Sequence, residues 1–436
     1  MVDVAMTPAM RRPEKVYSVK RTADTRLLIL APLAMIVTEL VLGWLRGSYL
    51  TPGATSAGAA RAALSFDATS LLTGATLVAF FMGHLQPVNW LRDNLFSTVG
   101  NSVMTLVGLI IMYGLVAGLF DFAVLHATWQ GSDGEACRPN TGACWPMVEA
   151  KFAQFMYGRY PTEYRWRVDL TYLLAVLGLV PLMIPRAPYK LQNAIFVFGI
   201  FPILAFFLLV GGVPGLPHVA TEYWGGLLVT LVVASVGITA SFPLGVILAL
   251  GRRSRMPLAR WASVGFIEFV RGVPLITVLF MSSVMLPLFL PPGWSIDKLL
   301  RALVGVALFA AAYMAETIRG GLQAIPRGQF EAADAIGLNY RQKMSMIVLP
   351  QALKLVIPGI VNSFIGLFKD TSLLIIIGLF DLLGIVQQNN TDQKWLAPTN
   401  AMTGYLFAGF IFWIFCFGMS RYSAFVERNL ADTEKR

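Results

Sequence analysis

Long apolar runs separated by short polar, basic junctions fill most of the 436 residues. A helical bilayer crossing needs about 20 apolar residues. Runs near 27–45, 68–83, 98–120, 168–184, 193–210, 225–250, 266–290, 300–318, 360–389 and 404–421 meet or approach that length. Their length selects helices, which satisfy their own backbone hydrogen bonds inside lipid. The expected fold class is therefore an all-α, polytopic transmembrane helical protein of about ten spans. Run 68–83 is short and rich in Thr and Ser, and charge parity retains it. The N-terminal tail is basic (Arg11, Arg12, Lys15, Lys20, Arg21, Arg26). Arg252, Arg253, Arg255 and Arg260 follow the sixth run, Arg319 to Lys354 separate the eighth from the ninth, and Lys435 and Arg436 close the chain. With ten spans every one of these clusters falls on the same, cytoplasmic side, as positive-inside topology requires. Both termini are then cytoplasmic. The first run is too long for a signal-peptide core and lacks a small-x-small cleavage site, so it reads as a signal-anchor span.

Composition agrees. The chain is 56% hydrophobic and 13% charged, with mean hydropathy +0.65, against about 25% charged residues in soluble domains. The net charge of +10 is spread over the ends of apolar runs, which excludes a nucleic-acid-binding patch. A Gly/Pro-rich stretch, GGVPGLPHVATEYW at 211–224, marks a boundary. Residues 1–221 form an accessory transmembrane region with an external loop, 121–167. Residues 222–425 form a second transmembrane domain, and 426–436 a cytoplasmic tail. In the external loop Cys137 and Cys144 stand ready for a disulfide in an oxidising compartment, or remain two free thiols. Two cysteines with no histidine close by make no zinc site. The run FMYGRYPTEYRWRVDL at 155–170 reads as an interfacial aromatic belt or as a docking surface for a soluble external partner. Cys416 reads as packing and Glu39 as interfacial. His84, His126 and His218 are too scattered for a metal site or a catalytic relay.

Four polar islands interrupt the apolar pattern. The most informative is EAADAIGLNYRQKMSMIVLP at 331–350: Glu331-Ala332-Ala333, three residues, Gly337, nine residues, Ile347, one residue, Leu349-Pro350. It predicts a short helix between two breaks. Pro326 suits its start, the alanines at 332, 333 and 335 give a low-profile face, and Gly337 suits a left-handed C′ position. Leu349-Pro350 disfavours helix at 349 and starts a new one. Read from the residues alone, this is a loop helix on the bilayer surface. Upstream, Glu268-Phe-Val-Arg271-Gly272-Val-Pro274-Leu275 predicts a bent start to the seventh span. Tyr313-Met-Ala-Glu316-Thr-Ile-Arg319-Gly320-Gly321 places Glu316 and Arg319 on one helical face as an ion pair. Gly366-Leu-Phe-Lys369-Asp370-Thr371-Ser372-Leu373, read as the opening of the ninth span, carries two charges at membrane depth. Such charges are expensive and point to a pathway or substrate site, or else to a mutual ion pair pinning a helix break. None of the ten lysines follows a glycine, so the Gly-Lys-Ser/Thr phosphate cradle of an ATPase is missing.

Position for position, the 331–350 pattern resembles the EAA loop of permease subunits in binding-protein-dependent ABC importers. The segments E-x-x-R-G-x-P-L, Y-x-A-E-x-x-R-G-G and K-D-T-S-L resemble the polar/general L-amino-acid branch. The long N-terminal extension resembles the larger permease of general L-amino-acid systems. The resemblance implies a C-terminal five-helix type I ABC importer permease core in a bacterial inner membrane. It implies that Glu331, Ala332, Ala333, Gly337, Ile347, Leu349 and Pro350 couple to a separate ABC ATPase. Glu268, Arg271, Gly272, Pro274, Tyr313, Glu316, Arg319 and Gly320 would be structural junctions. Lys369, Asp370, Thr371 and Ser372 would lie along a substrate pathway, Asp370 toward the ammonium of an amino acid and Lys369 or a helix N-terminus toward its carboxylate. The implied partners are ABC ATPase subunits, a second homologous permease, a periplasmic amino-acid-binding protein and membrane lipid. ATP and Mg would sit in the ATPase, with no cofactor, metal or enzymatic activity in this chain. An ion-coupled secondary amino-acid transporter using Lys369 and Asp370, or a membrane scaffold or sensor that has lost transport, are the alternatives.

Overall fold

The computed structural model describes residues 86–184 and 187–434. The expected spans 27–45 and 68–83, the basic N-terminal tail, Glu39, His84, Lys435 and Arg436 lie outside the described residues. Among the described residues the regular structure is helical, with isolated bridges and no strand. Contacts cluster into two units, one up to Met112 and one from Tyr113 onward. The first contains α1 (Gln86–Leu95) and the start of α2 (Val99–Leu125). There the Thr105 hydroxyl donates to the Leu95 carbonyl at 2.8 Å.

The second unit continues through α3 (Trp145–Tyr157), α4 (Thr162–Met183), α5 (Lys190–Val210), α6 (Gly226–Arg252), α7 (Pro257–Gly272) and α8 (Leu275–Phe289). It closes with α9 (Lys298–Ala324), α10 (Arg327–Ala335), α11 (Tyr340–Ile377), α12 (Leu382–Asn389) and α13 (Asn400–Glu434). Helices α2, α4, α5, α6, α9, α11 and α13 are each long and apolar enough to cross a bilayer, and the α7–α8 pair adds an eighth crossing if it is one broken span. These match the eight predicted runs from 98–120 onward, with two corrections.

The predicted seventh span, 266–290, is two helices that meet at 106°. Pro274 stands in extended backbone at the corner and caps α8. The predicted ninth span, 360–389, is displaced: α11 begins at Tyr340 and ends at Ile377, Gly378 turns the chain, and Leu382–Asn389 is a separate helix. The Lys369-Asp370 pair therefore lies in the last turns of a span and not at its opening.

Leu349-Pro350 does not break α11 either. The chain opens into a wide π turn over Lys343–Val348 and runs on helically through the proline. A proline offers no N–H to the carbonyl four residues back and crowds it; a π turn relocates that carbonyl. The same solution recurs at Phe196–Ile200 before Pro202 and at Met281–Met285 before Pro287. In the last case the carbonyl concerned, that of Ser283, accepts a hydrogen bond from Arg301.

α9 is the central element, packed along α6 and α11, with α13 against α11. Small residues set the separation, as in other membrane bundles. A Cβ at Gly321 would stand 2.5 Å from the Ala352 carbonyl oxygen, so α9 and α11 approach backbone to backbone there. The Gly226 end of the bundle is closed by a cap built from the loop 121–167. Cys137 and Cys144 are disulfide-bonded with Cα atoms 5.6 Å apart, and both are fully buried. They pack with Phe155 of α3 on Leu382, Ile385 and Val386 of α12 and on Ala408 of α13. The Cys144 N–H donates to Thr403 Oγ1 at 2.9 Å, and Lys151 pairs with Asp392.

Asp381 stands where α6 and α12 meet. It is fully buried, and its Oδ1 caps α12 by accepting from the Gly384 N–H at 2.8 Å. On either side, the Gly226 N–H donates to the Phe380 carbonyl at 3.0 Å, and Thr230 Oγ1 accepts from the Leu382 N–H at 3.1 Å. Asp381 Oδ2 has no hydrogen-bond partner among the described residues. Burial pushes the carboxyl from its ordinary 3.8 up to about 6. The folded state thus holds this proton more tightly than the unfolded one, so its contribution is fully present below about pH 4 and is lost as pH rises through about 6. Asp381→Asn keeps the capping oxygen but removes the charge. Its melting temperature relative to wild type is expected to improve between pH 4.5 and pH 7; a relative loss over that interval would contradict the assignment.

Candidate coupling and transport site

The segment 326–350 builds a short helix from purely local chemistry. Pro326 is extended, and α10 begins at the next residue. Gly337 lies at φ +78°, where a Cβ is unfavourable, although nothing stands within 4 Å of it. Its N–H donates to the Asp334 carbonyl at 3.0 Å, and the Leu338 N–H donates to the Ala333 carbonyl at 3.1 Å, the paired bonds of a Schellman ending. Asn339 and Gln342 then form a reciprocal capping box that restarts the chain as α11. Two side-chain links brace the joint: Lys343 to Asp334, and Gln351 Nε2 to Gln329 Oε1 at 3.1 Å.

The predicted coupling residues divide by position. Ala333 is buried against the bundle, while Glu331, Ala332 and Gly337 are exposed, together with Asp334, Ala335 and Ile336. They form a low, mixed apolar and acidic surface beside a shallow cleft lined by Arg253, Gln323, Arg327 and Phe330. Ile347 and Leu349 are half-buried and Pro350 is exposed on α11. That half of the pattern belongs to α11 and not to the exposed surface of α10.

Directly behind α10 the two predicted junctions prove to be one ionic cluster. Glu316 is 13% exposed and lies among three guanidinium groups. Arg252 Nη1 reaches Oε1 at 2.8 Å; Arg319 reaches Oε2 through Nη2 at 2.8 Å and Nε at 2.9 Å; Arg271 Nη1 lies 3.5 Å from Oε2. Arg252 also pairs with Glu268 at 2.9 Å. The cluster spans α6, α7 and α9. Arg271 further lies over the Tyr313 ring, 5.6 Å from its centroid. Gly272 and Gly320 have open space around a Cβ, whereas Gly321, not singled out in the sequence, is the tightly packed glycine. Arg252 was also missed as a site residue; its signal was its place as the last residue of an apolar run, opposite two acids in separate motifs.

Near the other end of α11, Lys369 is exposed and Asp370 half-buried. No ion pair within 4 Å joins them among the described residues, so they do not pin a helix break. Their neighbours turn inward: the Thr371 hydroxyl donates to the Phe368 carbonyl and the Ser372 hydroxyl to the Lys369 carbonyl, each at 2.9 Å. Here the α-helical turns of α11 tighten into the 3-10 turns Thr371–Ile377, and the backbone runs on without a break. The expectation of a helix N-terminus facing a substrate carboxylate finds no support in this turn.

Residues 241–432 match the family described as "Binding-protein-dependent transport system inner membrane component". The chain is 52% identical over 340 residues to the inner membrane amino-acid ABC transporter permease protein YhdY of Escherichia coli (strain K12), covering 78% of this chain and 92% of that one. It is 40% identical over 413 residues to the glutamate/glutamine/aspartate/asparagine transport system permease protein BztC of Rhodobacter capsulatus, covering 79% and 93%. A solved structure of an amino acid ABC transporter with histidines aligns at 27% identity and TM-score 0.41, over 47% of this chain and 92% of that one.

Removing the shared carboxylate from the cluster strands Arg319 and Arg271 in a part-buried site and leaves Arg252 only Glu268. Glu316→Gln is expected to destabilise the detergent-purified protein by about 3 kcal/mol, the usual cost of breaking a buried ion pair. Arg271→Gln, which removes a longer and more exposed contact, is expected to cost under about 1 kcal/mol. Equal shifts in thermal melting for the two variants would show that Glu316 is not the centre of the cluster.

Proposed function

Because this chain belongs to the amino-acid ABC transporter permeases, inner membrane components of binding-protein-dependent transport systems, we propose that it is the subunit through which ATP hydrolysis elsewhere drives L-amino-acid import, with α10 as the surface that docks on a separate ATPase. The observation that carries this reading is the exposed, rigidly capped α10 at 331–337, joined to a continuous spanning helix and backed by the Glu316 cluster. ATP and Mg belong to the ATPase. The α10 end of the bundle faces the cytoplasm, in keeping with the arginines gathered there. The capped Gly226 end faces the periplasm, where an amino-acid-binding protein delivers substrate. A second, homologous permease completes the membrane pathway.

Within that pathway Asp370 is the residue assigned to the substrate ammonium. It is half-buried, free of an ion pair among the described residues, and set where α11 enters its last turns. The ion-coupled reading shares these two charges but gives α10 no task, and family membership speaks against it.

Two variants test the proposal. Ala332→Arg places a long cation on the exposed face of α10. It is expected to reduce copurification of the ATPase at least tenfold, a loss of about 1.4 kcal/mol or more, without lowering the melting temperature of the permease. Normal association and uptake would remove α10 from the interface. Asp370→Asn is expected to leave the complex assembled while lowering uptake by roughly tenfold or more. Unchanged uptake kinetics, or uptake that persists without the ATPase and collapses with an ionophore, would overturn the assignment.

A further inference from the structure

Helix α7 does not behave as part of a span. It turns 106° away from α8 at Val273-Pro274, and its buried face lies across the ends of two spans. Ser263 sits under Gly251 of α6, where a Cβ would come within 2.2 Å of its hydroxyl. Ile267 packs with Ala249 of α6 and with Met314 and Ile318 of α9. Arg271 reaches Glu316. In the nine residues from 263 to 271 the helix thus stays level with 249–252 of α6 and 314–318 of α9. A helix crossing its neighbours at one level, where those neighbours leave the apolar layer, lies along the membrane boundary.

The face turned away from the bundle is apolar. Leu258, Trp261, Gly265 and Phe269 recur at three- and four-residue steps and so form one stripe. Their large side chains are 82%, 77% and 72% exposed for Leu258, Trp261 and Phe269. At the start of the helix stand two arginines, Arg255 and Arg260, exposed and without an ion pair among the described residues. The other nearby arginines are engaged: Arg252 and Arg271 with Glu316, and Arg253 with the Leu322 carbonyl and the Phe330 ring. A buried face toward the bundle, an opposite stripe of Leu, Trp and Phe, and unneutralised arginines at one end make up the composition of a helix lying in a lipid interface.

We propose that α7 is an interfacial helix that selects anionic phospholipid: its Leu258–Trp261–Phe269 stripe enters the acyl boundary, and Arg255 and Arg260 hold the phosphate headgroups. Charge complementarity decides the occupant. A purely apolar protein partner would leave both arginines unneutralised beside it, whereas anionic headgroups satisfy them where the stripe meets the acyl chains. The cytoplasmic leaflet as the location rests on the sidedness proposed above; the lipid preference does not.

The test uses the full chain in nanodiscs, where both faces of the bilayer carry the same lipid, so an error in sidedness leaves the result unchanged. Fluorescence is quenched with brominated phosphatidylglycerol or brominated phosphatidylcholine at equal mole fraction. The Trp261 signal is the difference between wild type and Trp261→Phe. Quenching by the anionic lipid is expected to exceed that by the zwitterionic lipid roughly threefold or more. The preference should vanish in Arg255→Gln/Arg260→Gln and at high salt, and return in Arg255→Lys/Arg260→Lys. Melting temperatures should be unchanged by the arginine replacements, which touch exposed side chains. Equal quenching by the two lipids in wild type overturns the anionic selection. No quenching by either lipid shows that protein, such as a second permease, covers the stripe, and overturns the interfacial assignment itself.

Discussion

One carboxylate at the edge of an apolar bundle holds three helices in register. Glu316 accepts from Arg252 of α6 and from Arg319 within α9, and draws in Arg271 of α7. In such surroundings an unpaired charge of either sign costs several kcal/mol, so the helix ends stay together because separating them would strand ions. The cluster lies immediately before α9 gives way to α10. The exposed surface at Glu331 and Ala332 therefore sits on a platform whose parts are tied by charge, with close packing such as Gly321 against Ala352 continuing below. The apolar contacts are non-directional and set proximity; the ionic contacts fix angle.

Much of the fold was legible because a bilayer leaves few options. Eight apolar runs within the described residues correspond to seven long helices and one bent pair. Two prolines mark what local sequence leaves open. At Leu349-Pro350 a proline was read as a break, yet a π turn over Lys343–Val348 absorbed it. At Val273-Pro274 the predicted bend is present and turns the chain through 106°. Local sequence announces that a proline will disturb the backbone. Whether the helix widens or turns a corner depends on what packs beside it, which is tertiary information. The 360–389 run failed differently: two apolar helices separated by a turn at Gly378 read as one stretch, because composition cannot distinguish them.

The candidate site was legible where its chemistry is local. The end of α10 at Gly337 and the pairing of Glu316 with Arg319 follow from residues three or four apart. Arg252 was not recognised because its partners lie 16 and 64 residues away in sequence, at Glu268 and Glu316. Nor could spacing reveal that the loop 121–167 closes over α12 and α13 through Cys144, Thr403 and Lys151. That contact joins the residues on either side of the Gly/Pro-rich stretch 211–224 more closely than the stretch itself suggests.

The continuity of α11 has a mechanical consequence. From Tyr340, braced to α10 by the Asp334–Lys343 and Gln329–Gln351 links, to Asp370 is thirty residues, about 45 Å of helix at 1.5 Å per residue. A rod of that length magnifies small rotations: a tilt of about 5° at its root displaces its far end by about 4 Å, close to the width of an amino-acid backbone. The wide turn at Lys343–Val348 lies at the root of this lever, where its effect on the far end is greatest. Lys369 and Asp370, without an ion pair among the described residues, lie near the far end of that lever.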